Sequence, residues 1–347
     1  MRIATLAVSV FLVLPAGIVR SGPPAPPQTG DGPRQYVFFN RERSRIAETS
    51  FLSAAAIEGA QLKYTWRELE PERDKYNVDL VLKDLAFLEQ HGKRLFIQVQ
   101  DVTFASEAGA VNVPDYLRSA GAFRGGVART YDFAASGELQ AKPDGWVARR
   151  WDPAVRARFV ALLQALGRAL DGRIEGINLP ETSLDFGSSS RLHPPGFTYE
   201  AYLDAVKQTM TAARAAFPRS KVIQYANFMP GEWLPADDRG YLREVYAHAN
   251  RIGVGVGGPD LLPGRKGQLN HSYALIPART LGVVAGVAVQ DGNLAETNPS
   301  TGKRVSVGDL YGFARDRLKL DYIFWGTQEP FYSEAVLPFL RGDNGGR

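Results

Sequence analysis

Cysteine is absent from all 347 residues, which removes disulfide frameworks, thiolate metal sites, lipidated cysteines and cysteine nucleophiles together. Histidine is scarce. His91, His193, His248 and His271 are scattered, with no H-x-x-x-H pair, so the helical metal-binding spacing is missing and neither a metal nor a cofactor is expected. Charge of one sign is not concentrated either. The formal net charge is +4, and no basic block is denser than Arg149-Arg150 and Arg265-Lys266, which makes nucleic acid a poor partner and leaves a weakly acidic polymer compatible. A phosphate cradle is also lacking: Gly253 to Gly258 alternates as a strand, with neither a lysine nor a G-x-G-x-x-G helix start behind it.

What is present is an ordinary core-forming composition, 44% apolar and 22% charged. A long apolar run opens the chain: Met1-Arg2 gives a basic head to residues 3–19, the pattern of a secretory signal. Ser21-Gly22-Pro23-Pro24-Ala25-Pro26-Pro27 follows as an extended spacer. The expected organisation is therefore a signal peptide over 1–20, a proline-rich linker over 21–33 and one folded domain over 34–342. Such a chain is expected to be secreted or periplasmic and monomeric, with no stable membrane span after signal cleavage; an uncleaved N-terminal anchor is the alternative.

Short apolar runs at 36–39, 59–66, 94–100, 221–227, 252–260, 283–291 and 320–325, with the run from Ile174 to Glu181, make eight strand candidates. Helical spacing separates them, most clearly over 78–89, 153–170, 199–217 and 239–251. Eight such alternations predict an α/β fold, a single (β/α)8 TIM barrel, rather than a doubly wound sheet. Residues 102–151 form a long Gly- and Ala-rich insertion after strand 3, expected to be a lid or subsite wall that brings Tyr131 and Trp146 to the ligand.

In such a barrel the strand C-termini build the active site. The residues there are Arg41, Trp66, Glu68, Gln100, Asp101, Asn178, Glu181, Tyr225, Asn227, Asp260, Gln290, Asp291, Trp325 and Glu329. A ring rich in carboxylates, amides and aromatics suits a carbohydrate: aromatic rings stack on sugar faces, amides bond hydroxyls, and paired carboxyls cleave the glycosidic bond. Each residue also has a structural reading. Asp291 precedes the turn signal Gly292-Asn293, Glu329 precedes Pro330, and Trp66 and Trp325 can pack the barrel top.

The run from Tyr64 to Asn77, with Trp66, Glu70-Pro71 and Tyr76, resembles the second-strand segment of the clan of retaining (β/α)8 glycoside hydrolases, the endoglucanase and β-galactosidase superfamily. The resemblance implies an acid/base Glu after the fourth strand, met by Glu181, and a Trp ending the eighth, met by Trp325. It also implies a nucleophile Glu after the seventh strand, where this chain has Gln290 followed by Asp291. Asp291, Glu329 or another carboxylate then takes that role, or the protein only binds carbohydrate. The clan's chemistry implies retention; an Asp, one methylene shorter than Glu, would widen the gap toward the distance that admits water and gives inversion.

Overall fold

The computed structural model describes residues 32–105, 107–133, 138–298 and 301–342. The expected signal segment and nearly all of the linker lie outside the described residues. Eight parallel strands close a barrel in chain order: β1 (Arg34–Asn40), β2 (Ile57–Thr65), β3 (Arg94–Gln100), β4 (Gly176–Leu179), β5 (Lys221–Tyr225), β6 (Gly255–Gly258), β7 (Ala285–Val289) and β8 (Tyr322–Gly326). β8 pairs back onto β1, with Val37 opposite Trp325. The fold is the single (β/α)8 TIM barrel that the alternation predicts.

Side chains alternate across each strand, and here both faces are buried. Tyr36, Phe38, Phe96, Ile223, Tyr225, Ala288, Tyr322 and Phe324 cluster inside the barrel, whereas Val37, Phe39, Leu95, Ile97, Ile323 and Trp325 belong to the larger cluster between strands and helices. Phe96 on β3 meets Phe324 on β8 edge-on at 5.1 Å, a contact that non-neighbouring strands make through the lumen. Glycine makes room for these rings. A Cβ at Gly176 would lie 2.3 Å from the Phe96 ring, and one at Gly286 would lie 2.9 Å from Phe324.

The lower end of the barrel is closed by charge. Arg34 pairs with Glu58 and Glu175, Arg94 Nη1 lies 2.8 Å from Glu175 Oε2, and the Tyr322 hydroxyl donates to Glu175 Oε1 at 2.7 Å.

Four long helices cover the outside: α1 (Asp79–Gln90), α2 (Pro153–Leu170), α3 (Tyr199–Ala216) and α4 (Tyr241–Ile252). The Asp152 side chain caps α2 by accepting from Ala154 N at 2.9 Å, and Pro153 fits the first turn because its missing N–H would be unpaired there. Residues 272–281 break into Ser272–Leu275 and a tight turn at Ile276–Ala278 around Pro277. Strand six starts later than expected, since Ile252 completes α4 and Gly253 ends it at φ +69°.

The insertion after β3 is not a bare loop. Val102–Thr103, Val127–Asp132 and Lys142–Ala148 form an antiparallel sheet. Within it Trp146 stacks under the Arg129 guanidinium at 3.9 Å and donates through Nε1 to the Glu107 carbonyl at 3.2 Å. No helix among the described residues is long and apolar enough to cross a membrane.

Candidate active site

Glu181 follows Pro180 just past the end of β4, and its backbone is gripped from three sides. From β5, Gln224 Nε2 donates to the Pro180 carbonyl at 2.7 Å. The Thr182 N–H donates to the Tyr225 carbonyl at 3.0 Å and its hydroxyl to the Phe228 carbonyl at 2.6 Å. From the end of the insertion, Arg150 Nη1 donates to the Glu181 carbonyl at 2.6 Å. The same guanidinium grips Asp101 with two hydrogen bonds, at 2.5 and 2.7 Å. Asp101 therefore acts behind the site, as the anchor of the cation that holds Glu181. Tyr202 completes the brace by donating to the Thr182 carbonyl at 3.0 Å.

The Glu181 carboxyl meets different partners from its backbone. Asn227 Nδ2 donates to Oε2 at 3.2 Å. Burial pushes the group up to about 7; the charges of Arg150 and Lys63 and the Asn227 hydrogen bond pull it down, while the negative charge of Asp260 pushes it further up. Asp260, after β6, is itself raised by burial and is held by Asn293 Nδ2 at 3.0 Å. Lys63, pointing inward from β2 over the Phe38 ring at 5.3 Å, is lowered to about 8 by burial, with Arg41 acting in the same direction and Glu181 against it. The mouth thus gathers two carboxyls, a lysine and an amide.

Below them lies a floor of amides. Gln61 Nε2 donates to the Tyr225 hydroxyl at 2.9 Å, and Asn178 reaches the same phenol. Gln61 Oε1, Gln98 Oε1, both polar side-chain atoms of Asn178, and Asn227 Oδ1 are buried without a well-formed hydrogen bond. Such unsaturated donors and acceptors suit a ligand bearing hydroxyls. Gln100 ends β3 in a buried position beside this layer.

Other residues expected at the site stand elsewhere. Trp66 is fully buried on the outer face of the barrel, edge-on to Phe159 at 5.0 Å, and donates to Glu70 Oε2 at 2.9 Å. Glu70 also pairs with Arg158, so the Trp66 to Tyr76 segment that carries the family resemblance is a brace between β2 and α2. Glu68 closes a capping box with Thr65 and pairs with Arg43 at 3.2 Å. Trp325 faces outward because its neighbours Phe324 and Gly326 face inward, and it donates to Gln35 Oε1 at 2.7 Å. Strand parity turns Trp325 away from the lumen, and the helical turn that β2 runs into carries Trp66 and Glu68 away from it.

Arg41, Gln290, Asp291 and Glu329 line a separate cavity of about 430 Å³ over β1, β7 and β8. Glu329 there accepts from Ser333 N and Oγ, at 3.2 and 2.6 Å, capping the helix that follows. Sequence reasoning missed Lys63, Arg150 and Asn293. Among the described residues, no group of three or more His, Asp or Glu is placed to hold a metal ion.

The fold and mouth define a (β/α)8 barrel with a raised carboxyl after its fourth strand. No family model matches the sequence, and no curated protein matches it. Solved structures do resemble it. A GH10 endoxylanase retrieved from sugarcane soil metagenome superposes with a TM-score of 0.50 at 16% identity, over 89% of this chain and 89% of that one. A GH5_18 protein from Streptomyces cattleya, in complex with Manb1-4GlcNAc, gives 0.51 at 15% identity over 84% of this chain and 70% of that one. A β-galactosidase from Bacillus circulans sp. alkalophilus gives 0.53 at 9% identity, over 87% of this chain and 51% of that one. At these identities the shared property is the fold.

Proposed function

We propose that this chain is an exported glycoside hydrolase that cleaves O-glycosidic bonds of a poly- or oligosaccharide, with Glu181 as general acid and Asp260 as the facing carboxylate. The observation that carries the reading is the Glu181 carboxyl, held at the barrel mouth and pushed up to about 7 by burial with Asp260 within electrostatic reach. A protonated acid beside a second carboxylate is what glycosidic cleavage needs. Glu181 hands its proton to the leaving oxygen as the bond from the anomeric carbon breaks. Asp260 then attacks that carbon or takes the proton of an attacking water. The amide floor receives hydroxyls, and export rests on the pattern of residues 1–20.

The test is a hydrolysis screen over defined oligosaccharide ladders. Glu181→Gln should lower kcat by about 10²- to 10⁴-fold on any substrate found, and full activity in that variant would remove Glu181 from the mechanism. Proton NMR of the first product then assigns Asp260: an inverted anomer means water activation, a retained one direct attack. A second reading, a carbohydrate-binding protein on a degenerate barrel, is favoured by Gln290 at the end of β7 and by Glu329 being tied up as a helix cap. Binding without product on the same ladders would establish it.

A further inference from the structure

The loops that leave β4 and β5 carry Glu181 and Asn227 at their roots. Farther out, their tips at 185–189 and 231–239 line a second cavity, of about 610 Å³. Trp233 stands on its wall, 57% exposed. One indole face is stacked on Phe228, with centroids 5.5 Å apart and planes 7° apart, and His271 packs against it at 4.9 Å. His271 is itself fixed: the Leu234 N–H donates to its Nε2 at 2.9 Å, and its Nδ1 lies 2.7 Å from the Gly267 carbonyl. The Trp233 backbone pairs both ways with Asp237, at 2.8 and 2.9 Å. An indole presented to solvent on so rigid a support is a stacking platform for a flat apolar face.

The charge around the platform is negative. Among the described residues that line the cavity, Glu138, Asp185, Glu232 and Asp237 face one cation, Arg239. Glu232 caps α4, accepting from Leu242 N at 2.7 Å, and Asp237 pairs with Arg239 at 3.3 Å. Glu138 accepts from Ser189 N at 2.7 Å, and burial raises Asp185 above the usual carboxylate range. An anionic ring entering here meets net repulsion. The whole-chain charge of +4 is thus no guide to this surface.

We infer that the cavity at Trp233 is a distal sugar subsite, which takes an uncharged or amino-bearing ring of a chain whose scissile bond lies at Glu181. The inference rests on the glycoside-cleaving reading and adds the substrate class and the direction of the chain. β4 and β5 lie across the barrel from β8 and β1, where the cavity at Arg41 and Gln290 opens. A chain running from the Trp233 cavity past Glu181 toward the cavity at Arg41 and Gln290 is cut within its length rather than at its end.

The experiment uses neutral, amino-bearing and uronate oligosaccharide ladders of two to six units, with Glu181→Gln for binding and the parent enzyme for turnover. Neutral or amino six-unit chains should quench Trp233 fluorescence, a change absent in Trp233→Ala. Trp233→Ala should cut the kcat/KM preference for six units over two by about tenfold or more, and Trp233→Phe should restore part of it. Uronate chains should bind more weakly at equal length. An unchanged length preference in a folded, active Trp233→Ala, or tightest binding by uronates, overturns the subsite alone. A parent enzyme that cuts no ladder overturns the cleavage reading, and fluorescence then reports separately whether Trp233 binds sugar.

Discussion

Glu175 and Glu181 stand at opposite ends of β4, and their environments drive the same side chain in opposite directions. Burial raises both. At Glu175 the charge of Arg34, hydrogen bonds from Tyr322 and Arg34, and the charge of Arg94 more than offset it, and the carboxyl sits below its usual range. At Glu181 the nearest guanidinium is turned away: Arg150 spends its donors on Asp101, on Tyr202 and on Glu181's own carbonyl. The carboxyl keeps an amide contact and rises to about 7. A cation that touches carboxylate oxygens makes a structural acid. A cation that holds the backbone behind it positions the acid and leaves burial to raise its pKa.

The largest expected effect breaks the upper brace. Arg150→Met leaves Asp101, only 2% exposed, without its cation, and an uncompensated buried charge costs about 3–5 kcal/mol. Urea denaturation should show that loss, together with a fall in kcat as the Glu181 loop is released. Arg34→Met at the lower end should cost less, about 2 kcal/mol, because Arg94 and Tyr322 still hold Glu175. It should leave the pH profile of turnover unchanged. A shifted profile in Arg34→Met would mean that the two ends are not independent.

A smaller effect separates the acids by pH. Glu175, with its pKa depressed by folding, stabilises the protein above the unfolded carboxylate range, and that contribution is lost as pH falls through the folded value. Glu181 does the reverse. Its folded value of about 7 exceeds the unfolded value of about 4.3, so the folded state holds the proton longer and loses stability as pH rises between the two. Glu181→Gln removes that loss. The variant should match the parent near pH 4 and exceed it at pH 8 by up to about 3 kcal/mol. Melting curves at the two values check this, and an equal difference at both would show that folding does not raise Glu181.

Much of this was legible in the sequence. Eight alternating runs gave the barrel, and an apolar strand ending in Pro180-Glu181 put a carboxyl at the barrel mouth, because strand periodicity and the geometry of barrel ends are local rules. Strand ends and parity decided the errors. Trp66 and Trp325 ended strands in the linear reading, but β2 stops at Thr65, so Trp66 opens a helical turn packed on α2, and Phe324 points inward, which by parity turns the Trp325 indole outward. The same rule, applied to Gln61, would have found Lys63. Arg150 looked like half of a surface basic pair, and nothing local shows that it reaches Asp101 from the far end of a long insertion. Asp260 stood among the strand-end residues, but its pairing with Glu181 needed the strand order, which sets the ends of the fourth and sixth strands one strand apart.

The smallest effect tests that reach. Lys63 and Asp260 act on Glu181 with opposite signs, the cation lowering its pKa and the anion raising it. Lys63→Met should therefore move Glu181 above about 7, and Asp260→Asn should move it below, each by less than about one pH unit because neither group is a direct hydrogen-bond partner. ¹³C NMR of labelled glutamate carboxyls reads this without turnover, so the loss of activity expected in Asp260→Asn does not obscure it. In Lys63→Met, where Glu181 and Asp260 are both kept, the alkaline limb of kcat/KM should follow the NMR shift to higher pH, since the acid stays protonated longer. Shifts of the same sign in the two variants would mean that a change of loop position, not charge, had moved Glu181.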